Sequence, residues 1–428
     1  MEIKDLYKIF LGCKTVSTDT RQISNGVLFF ALKGANFNGN EFAGKALEMG
    51  AAYAVIDEEK YKVNDKCILV NDVLTTLQEL ANYHRRQFDI PFIAITGSNG
   101  KTTTKELIAA VLSTTYKTQA TKGNLNNHIG IPLTLLAIPQ GTQMAVIEMG
   151  ANHQKEIEGY CRYVEPTHAM ITNIGKAHLE GFGGVEGVKK GKGELFDYIR
   201  NHEDVAFVNS SDTTLMEISG SLNRILYPKK ENFYHCELLE PIPFVRYRSE
   251  EGEIVETKLT GVYNFDNIAA ALCIGKYFQV SAKLANKAIA EYTPQNNRSQ
   301  FVKKGSNEIL LDAYNANPSS MKAAIENFNR LSMKNKRIIL GDMFELGGES
   351  KAEHEALGTL LSMCDFTQII LCGKNMSYAA AQPKSVTYFE TKPELIFYLQ
   401  NNKITDSTIL IKGSRGMGLE SILEYLEL

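Results

Sequence analysis

Residues 92–106 read FIAITGSNGKTTTKE, and the spacing of two glycines, a lysine and a run of threonines is that of a phosphate-binding turn. Gly97 and Gly100 let the backbone turn tightly with its N–H groups pointing inward. A helix that begins near Lys101 directs its positive dipole end at the same point. Lys101 adds a full charge, and the Thr102 hydroxyl can ligate magnesium. Ile95 stands where the longer P-loop pattern has its first glycine, so the loop is a shortened GxxGKT form. An ordinary strand–turn–helix with a surface lysine shares this outline, but glycines, lysine, hydroxyls and flanking apolar residues together favour a nucleotide phosphate.

Further polar groups follow apolar runs. Glu148, in EMGANHQ, stands where a carboxylate completes a magnesium–nucleotide site or else caps the next helix. ITNIGKAHLEGFG puts Asn173 and His178 in a glycine-flanked loop, where a lone histidine reads as a solvent-facing imidazole. VEGVKKGKGELFDYI carries Lys189, Lys190 and Lys192, which by spacing alone form a solvated basic face. TKGNLNNHIGIPLTLL offers Asn124, Asn126 and Asn127 as donors to phosphate or sugar oxygens, or as plain turn formers. Arg298 and Asp312 are candidates for phosphate and ribose contacts, and Lys412 and Arg415 in KGSRGMG for a carboxylate-binding corner. Each of these motifs, taken alone, fits a surface ion pair as well.

The elements that must position these groups fall into three segments. The first has strand-like runs at 27–32, 52–56 and 67–70, with helical spacing at 40–49 and 73–88. The second alternates apolar runs at 92–96, 145–149, 168–174 and 205–208 with helical stretches, which implies a parallel sheet with crossover helices. It closes with YNFDNIAAALCIGKYF, read as an amphipathic helix, and KLANKAIAEY. In the third, the strands EILLDAY, RIILGD, QIILCG and STILIKG are separated by the helices KAAIENFNRL and EHEALGTLLSM. Ligands of such sheets sit at the strands' carboxyl ends, where DAYNANPSS, GDMFELGGES and KGSRGMG fall. The expected fold is α/β in three domains: a small N-terminal α/β domain (1–88), a central P-loop-type domain with a mostly parallel sheet (89–295) and a C-terminal Rossmann-like domain (296–428).

The chain's 428 residues are enough for roughly two to four domains. Its 46 basic and 49 acidic residues leave a net charge of −3, which argues against a nucleic-acid or membrane-surface partner. No stretch approaches a membrane span, and MEIKDLYKIF is not a secretion signal. The seven cysteines are scattered, with no CxxC pair, as expected for thiols in a reducing cytoplasm. The eight histidines form no HxxxH cluster, so an all-protein zinc site is not expected.

Taken in order, TGSNGKTTTKE, NLNNHIGIP, EMGANH, TNIGKAHLEGFG, KGELF, NFDNIAAAL, DAYNANPSS and KGSR resemble the motifs of the Mur ligases, ATP-dependent amide-bond-forming enzymes of peptidoglycan synthesis. DAYNANPSSMKAA, GDMFELG followed by Ser350 and His354, and NNHIGIPLTLL are similar to the branch that joins D-alanyl-D-alanine to UDP-N-acetylmuramoyl-tripeptide. The DNPR motif of the diaminopimelate-adding branch is absent. The resemblance implies that Thr96, Gly97, Ser98, Asn99, Gly100, Lys101, Thr102 and Thr103 hold the ATP phosphates. It implies that Thr102 and Glu148 ligate one Mg²⁺, and His178 with a carbamylated Lys192 a second. Asn264 and Asn267 match adenine-side and hinge asparagines, Arg298, Asp312 and Tyr314 nucleotide contacts, and Asn126 and Asn127 groups near the phosphates. STDTRQISNGVLFFALKGANFNGNEF is similar to the family's UDP-sugar domain, with Asp19-Thr20-Arg21 for DSR and Asn38-Gly39-Asn40 for DGH. That assigns Thr18, Arg21 and Asn38 to substrate, as the third segment's motifs do Asn315, Lys412 and Arg415.

The implied reaction proceeds through an acyl phosphate in the cytoplasm, in a monomer whose domains close about hinges near 85–91 and 293–297. Its partners are small molecules, without nucleic acid or membrane. The alternatives are a third-residue-adding Mur-type ligase or a folylpolyglutamate-synthase-like ligase, the latter disfavoured by the FFALKG run. A catalytically inactive nucleotide-sugar-binding protein and a simple P-loop kinase are further rivals.

Overall fold

The computed structural model describes every residue except 241–242, 296, 384 and 427–428. Three parallel or mostly parallel sheets follow one another along the chain. In the first unit the strands Thr15–Ser17, Val27–Phe30, Tyr53–Ile56 and Cys67–Leu69 lie side by side in that order, all parallel. The unit ends in the helix Val73–Arg85, whose N-terminus is capped by Asp72 through a 2.6 Å bond from the Thr75 amide.

The central sheet has the strand order Asn223–Tyr227, Val205–Asn209, His168–Ile171, Phe92–Thr96, Met144–Glu148 and Thr118–Ala120, again all parallel. Every residue of Phe92–Thr96 and Met144–Glu148 is buried, as a strand covered by helices on both faces requires. The chain leaves Phe92–Thr96 toward one edge of the sheet and later returns on its other side. The reversal opens a crevice at the carboxyl ends of these central strands. A three-stranded antiparallel sheet, Glu237–Leu239, Phe244–Arg248 and Ile254–Thr260, follows.

The third unit orders Gln300–Lys304, Asn307–Asp312, Thr408–Lys412, Lys336–Gly341, Gln368–Cys372 and Thr387–Phe389, with only the first strand antiparallel to its neighbour. Together the three units make the expected mixed α/β, three-domain fold.

Two expectations need correction. The helix Asn264–Tyr277 is not amphipathic: Asn267 through Gly275 are all buried, because it packs against the helix Lys101–Ser113 on one side and the antiparallel sheet on another. Nor is 85–91 a free hinge. The helix Val73–Arg85 packs on the helices Gly130–Leu136 and Glu156–Val164 of the central unit, in one hydrophobic core. The Arg85 guanidinium donates to the carbonyls of Val164 (2.8 Å), Glu165 (2.7 Å) and Phe88 (3.2 Å) and lies 4.0 Å from the Phe92 ring centroid. His84 bridges Tyr7 Oη and the Ile138 carbonyl, both at 3.0 Å. The other expected hinge, 293–297, includes residue 296, which lies outside the described residues.

Candidate nucleotide and ligation site

The strand Phe92–Thr96 delivers the glycine turn, and neighbouring strands hold it in shape. Gly97 has φ 141°, and a Cβ there would come within 1.9 Å of Thr172 Oγ1. Gly100 has φ 79°, with the Asn267 amide 2.7 Å from where its Cβ would stand. Only glycine meets both demands. The segment after the strand His168–Ile171 staples the loop. Thr172 Oγ1 donates to the Asn99 carbonyl (2.6 Å). Asn173 accepts from the Asn99 amide (3.1 Å) and donates to the same carbonyl (3.0 Å). Ser98 Oγ accepts from the Gly175 amide at 2.9 Å.

Lys101 begins the helix Lys101–Ser113, and its Nζ folds back to donate to the carbonyls of Gly97 (2.7 Å) and Ser98 (3.3 Å). Burial, reinforced by Arg298 and opposed by Glu148, pushes its pKa down to about 8. Register sets Glu148 beside Ile95, at the edge of the loop. Glu148 Oε1 accepts from Thr102 Oγ1 (3.0 Å) and Asn126 Nδ2 (2.8 Å), while its buried Oε2 has no partner. The residue does not cap a helix. An unsatisfied carboxylate oxygen next to a threonine hydroxyl at a phosphate loop fits a hard divalent cation. Among the described residues no three His, Cys, Asp or Glu side chains cluster for a metal, so phosphate and water oxygens must complete the coordination.

Around the loop lies a cavity of about 800 Å³. Ser98, Asn99, Gly100, Lys101, Thr102, Thr103, Asn126, Asn127, Glu148, His178, Asn264, Asn267, Arg298, Asp312, Tyr314, Asn315, Lys412 and Arg415 all line it. Asn124 and Asn173 line it too. Thr96 and Gly97 shape its floor without lining it, Thr96 Oγ1 donating to the Met149 carbonyl at 2.8 Å. Asn127 also works locally, its Oδ1 accepting from the amides of Ile129 and Gly130 ahead of the helix Gly130–Leu136. Asn267 accepts from Thr104 Oγ1 (2.9 Å) and donates to Asn264 Oδ1 (2.8 Å).

The third unit supplies the opposite wall. Tyr314 is stacked between Arg298, 3.6 Å from its ring centroid, and Arg415, at 4.8 Å. Lys412 Nζ lies 2.5 Å from Asp312 Oδ2 as a buried pair, and also donates to the Asn315 carbonyl at 3.1 Å. Asn317 caps the helix Pro318–Arg330 and reaches Asn99 Oδ1 with its amide at 2.8 Å. His178 has φ 52°, and its Nδ1 lies 2.5 Å from Glu345 Oε2, whose carboxyl it holds below the usual range.

Lys192 departs from the solvated face that its spacing alone suggested. It is 0 % exposed, donates to the Ala151 carbonyl (2.9 Å) and lies 4.9 Å from the Phe182 ring centroid, behind the cavity and not on its lining. Burial, helped by the Lys101 charge, drives its amine well toward the neutral form. Thr18, Arg21 and Asn38 lie outside this cavity on the first unit. Arg21 is exposed and pairs with Asp19 (2.7 Å), and Asn38 donates to Glu58 at 3.0 Å. Residues not singled out from sequence also line the site: Tyr160, Tyr263, Asn317, Ser319, Phe344 and Glu345. Asn317 had a readable signal, an asparagine before Pro318 at a helix start.

A phosphate loop facing a second α/β unit across one polar cavity defines a nucleotide-dependent enzyme of the three-domain α/β class. This chain belongs to the Mur ligase family: the models "Mur ligase family, catalytic domain", "Mur ligase middle domain" and "Mur ligase, glutamate ligase domain" match residues 13–86, 95–275 and 297–415. The UDP-N-acetylmuramoyl-tripeptide–D-alanyl-D-alanine ligase of Bacillus subtilis is 35% identical over 431 residues, covering 96% of this chain and 92% of that protein. A crystal structure of MurF from Acinetobacter baumannii superposes with a TM-score of 0.88 at 30% identity, over 99% of this chain and 98% of that one. MurF of Thermotoga maritima in complex with ADP gives 0.86 at 26% identity, over 98% of each chain.

Proposed function

We propose that this chain is an ATP-dependent ligase that joins D-alanyl-D-alanine to the terminal carboxylate of UDP-N-acetylmuramoyl-tripeptide in peptidoglycan precursor synthesis. The observation that carries the reading is the single cavity in which the phosphate loop, the unsatisfied Glu148 oxygen and the third unit's wall meet. The full-length likeness to ligases of that name supports it.

The tripeptide carboxylate attacks the γ-phosphorus of ATP, ADP departs, and an acyl phosphate remains. The dipeptide amine then attacks the acyl carbon and loses a proton, and phosphate leaves, giving the pentapeptide. Lys101 exchanges its two backbone carbonyls for phosphoryl oxygens and neutralises their growing charge. Arg298, Asp312, Tyr314, Asn264 and Asn267 contact the nucleotide, and Asn126 and Asn127 the phosphate side. Asn315, Lys412 and Arg415 serve the incoming substrate. Thr102 and Glu148 would hold one Mg²⁺, and His178 with Lys192, once carbamylated, a second; the ions would supply further charge neutralisation. Lys192 meets the chemical demand of a carbamate, a buried amine whose proton affinity burial lowers, with no carboxylate within 4 Å among the described residues.

The first unit, 1–88, takes the UDP-sugar through Thr18, Arg21 and Asn38; 89–295 takes ATP; 296–428 takes the amino substrate. The protein acts as a monomer in the cytoplasm, where its ATP is. Among the described residues no helix is long and apolar enough to cross a membrane. The test is ADP release with UDP-N-acetylmuramoyl-tripeptide, with and without D-alanyl-D-alanine, beside single amino acids and a folate substrate with glutamate. Release that depends on the dipeptide is expected; release driven by a single amino acid, or none at all, overturns the reading.

A further inference from the structure

We infer that Phe344 and Arg415 form the acceptor subsite, with the Phe344 ring as its apolar wall and the Arg415 guanidinium as the anchor for the terminal carboxylate. The inference rests on the ligase reading, which already gives Arg415 to the incoming substrate, and adds to it the Phe344 wall and the acceptor group that Arg415 holds.

Phe344 is 40% exposed, and among the described residues it is the only phenylalanine lining a cavity in which asparagine and serine are the commonest residues. Its place is built, not incidental. The Phe344 amide donates to Ser414 Oγ (2.9 Å), and the Ser414 amide donates to the Asp342 carbonyl (3.0 Å). One residue earlier, the Met343 amide donates to Nε2 of the fully buried His354 (3.2 Å), whose Nδ1 donates to the Ser350 carbonyl (2.7 Å). A backbone pinned on both sides presents a ring to open cavity, where it fills no core.

The ring rests on Gly416, where a Cβ would come within 2.8 Å of Phe344 Cε2. The residue before that glycine is Arg415. It stacks on Tyr314 but has no carboxylate within 4 Å among the described residues, whereas the neighbouring Lys412 is taken by Asp312. An apolar ring resting on the residue that follows an arginine free of any carboxylate, both lining one cavity, matches a short peptide with small apolar side chains and a free carboxylate. With the carboxylate on Arg415 and the methyl groups on Phe344, the amine is the end left free for the acyl carbon.

The experiment is steady-state ADP release by wild type, Phe344→Ala, Phe344→Leu, Gly416→Ala and Arg415→Ala. Acceptors are D-alanyl-D-alanine, glycyl-glycine and the D-alanyl-D-alanine amide, and an ADP-induced thermal shift checks that each variant is folded. At about fourfold per buried methyl group, wild type prefers D-alanyl-D-alanine over glycyl-glycine by roughly fifteenfold. Phe344→Ala raises the dipeptide KM roughly tenfold, leaves the KM of ATP and of the nucleotide-sugar substrate within about twofold, and flattens that preference. Phe344→Leu falls between, and Gly416→Ala, which displaces the ring without removing it, acts in the same direction. In wild type the amide is about thirtyfold weaker than the acid, and Arg415→Ala abolishes the difference. An unchanged dipeptide KM in both Phe344→Ala and Gly416→Ala overturns the proposal, as does an equal loss for acid and amide in Arg415→Ala. If Phe344→Ala does not fold, Gly416→Ala and Phe344→Leu decide. Absence of dipeptide-dependent release in wild type is a different result, and it strikes the ligase reading itself.

Discussion

Lys101 gives the sharpest quantitative test of the phosphate loop. In the free protein its pKa is pushed down to about 8 from an ordinary 10.5, because burial disfavours the ammonium more than Glu148 favours it. A bound polyphosphate reverses that balance and requires the charged form. The sign follows: above pH 8 the amine is largely neutral before binding and charged afterwards, so the complex takes up a proton. At pH 9 about nine-tenths of a proton enters with each MgADP, and at pH 7 about one-tenth. Affinity therefore falls as pH rises, by about fiftyfold between pH 8 and pH 10, or about 2.3 kcal/mol. Titration calorimetry at pH 9 in two buffers of different ionisation enthalpy reads the proton directly. Lys101→Arg stays charged throughout, so it shows no uptake from this group and loses the slope. Uptake near zero in wild type at pH 9, or the same slope in Lys101→Arg, refutes the reasoning.

Glu148→Gln keeps an acceptor for Thr102 but removes the charge behind the free oxygen; ADP release at fixed Mg²⁺ falls by about a hundredfold or more, and the Mg²⁺ dependence moves to higher concentration. Gly97→Ala drives a methyl group into Thr172 Oγ1 at a left-handed φ, so thermal stabilisation by ADP is lost even where the protein folds. Arg85→Ala leaves the Val164, Glu165 and Phe88 carbonyls without their donor at a buried joint; urea unfolding shows a loss of about 3 kcal/mol or more, with protease entering near residue 86 first.

The central strands were legible because both faces are covered and the runs are apolar without a break, as in Phe92–Thr96. The loop was legible because glycine, lysine and threonine have few other reasons to stand in that order. Spacing among the neighbouring lysines left Lys192 open to a solvated face, yet its helix carried the other signal: Val188, Leu195 and Ile199 lie on one stripe, and position 192 falls within it. A lysine on an apolar stripe is buried unless the stripe itself is exposed. The helix Asn264–Tyr277 was misjudged for a similar reason, since NIAAALCI is small or apolar on nearly every side and has no wet face to lose. The antiparallel sheet went unread because the burial of Ile254–Thr260 alternates over its first six residues while the residue types do not, Ile254 and Val255 both being apolar and Glu256, Thr257 and Lys258 all polar. The Arg85 joint was out of reach, because its carbonyl acceptors at 164 and 165 are remote in sequence and carbonyls carry no residue signature.

That joint differs in kind from the contacts of the third unit. The first unit meets the centre helix against helix through apolar side chains, with the Arg85 and His84 bonds closing the seam. The third unit meets it largely through loops. Asn317 reaches Asn99 at 2.8 Å, Lys176 pairs with Glu353 at 2.5 Å and donates its backbone amide to Ser319 Oγ at 2.9 Å, and His178 faces Glu345. Polar contacts of this kind exchange readily with water and hold units together weakly, whereas an apolar helix seam does not part without exposing its core. The first two units carry the phosphate loop and Glu148 on one side of the cavity, and the third carries Arg298, Phe344 and Arg415 on the other. The Lys176 and His178 contacts fall on residues 173–180, the segment that also staples Asn99, and the Asn317 contact falls on Asn99 itself, so docking of the third unit and the shape of the phosphate loop bear on the same few residues. An acyl phosphate is then shielded from water only when the acceptor's wall is already in place, which ties protection of the intermediate to the presence of the group that consumes it.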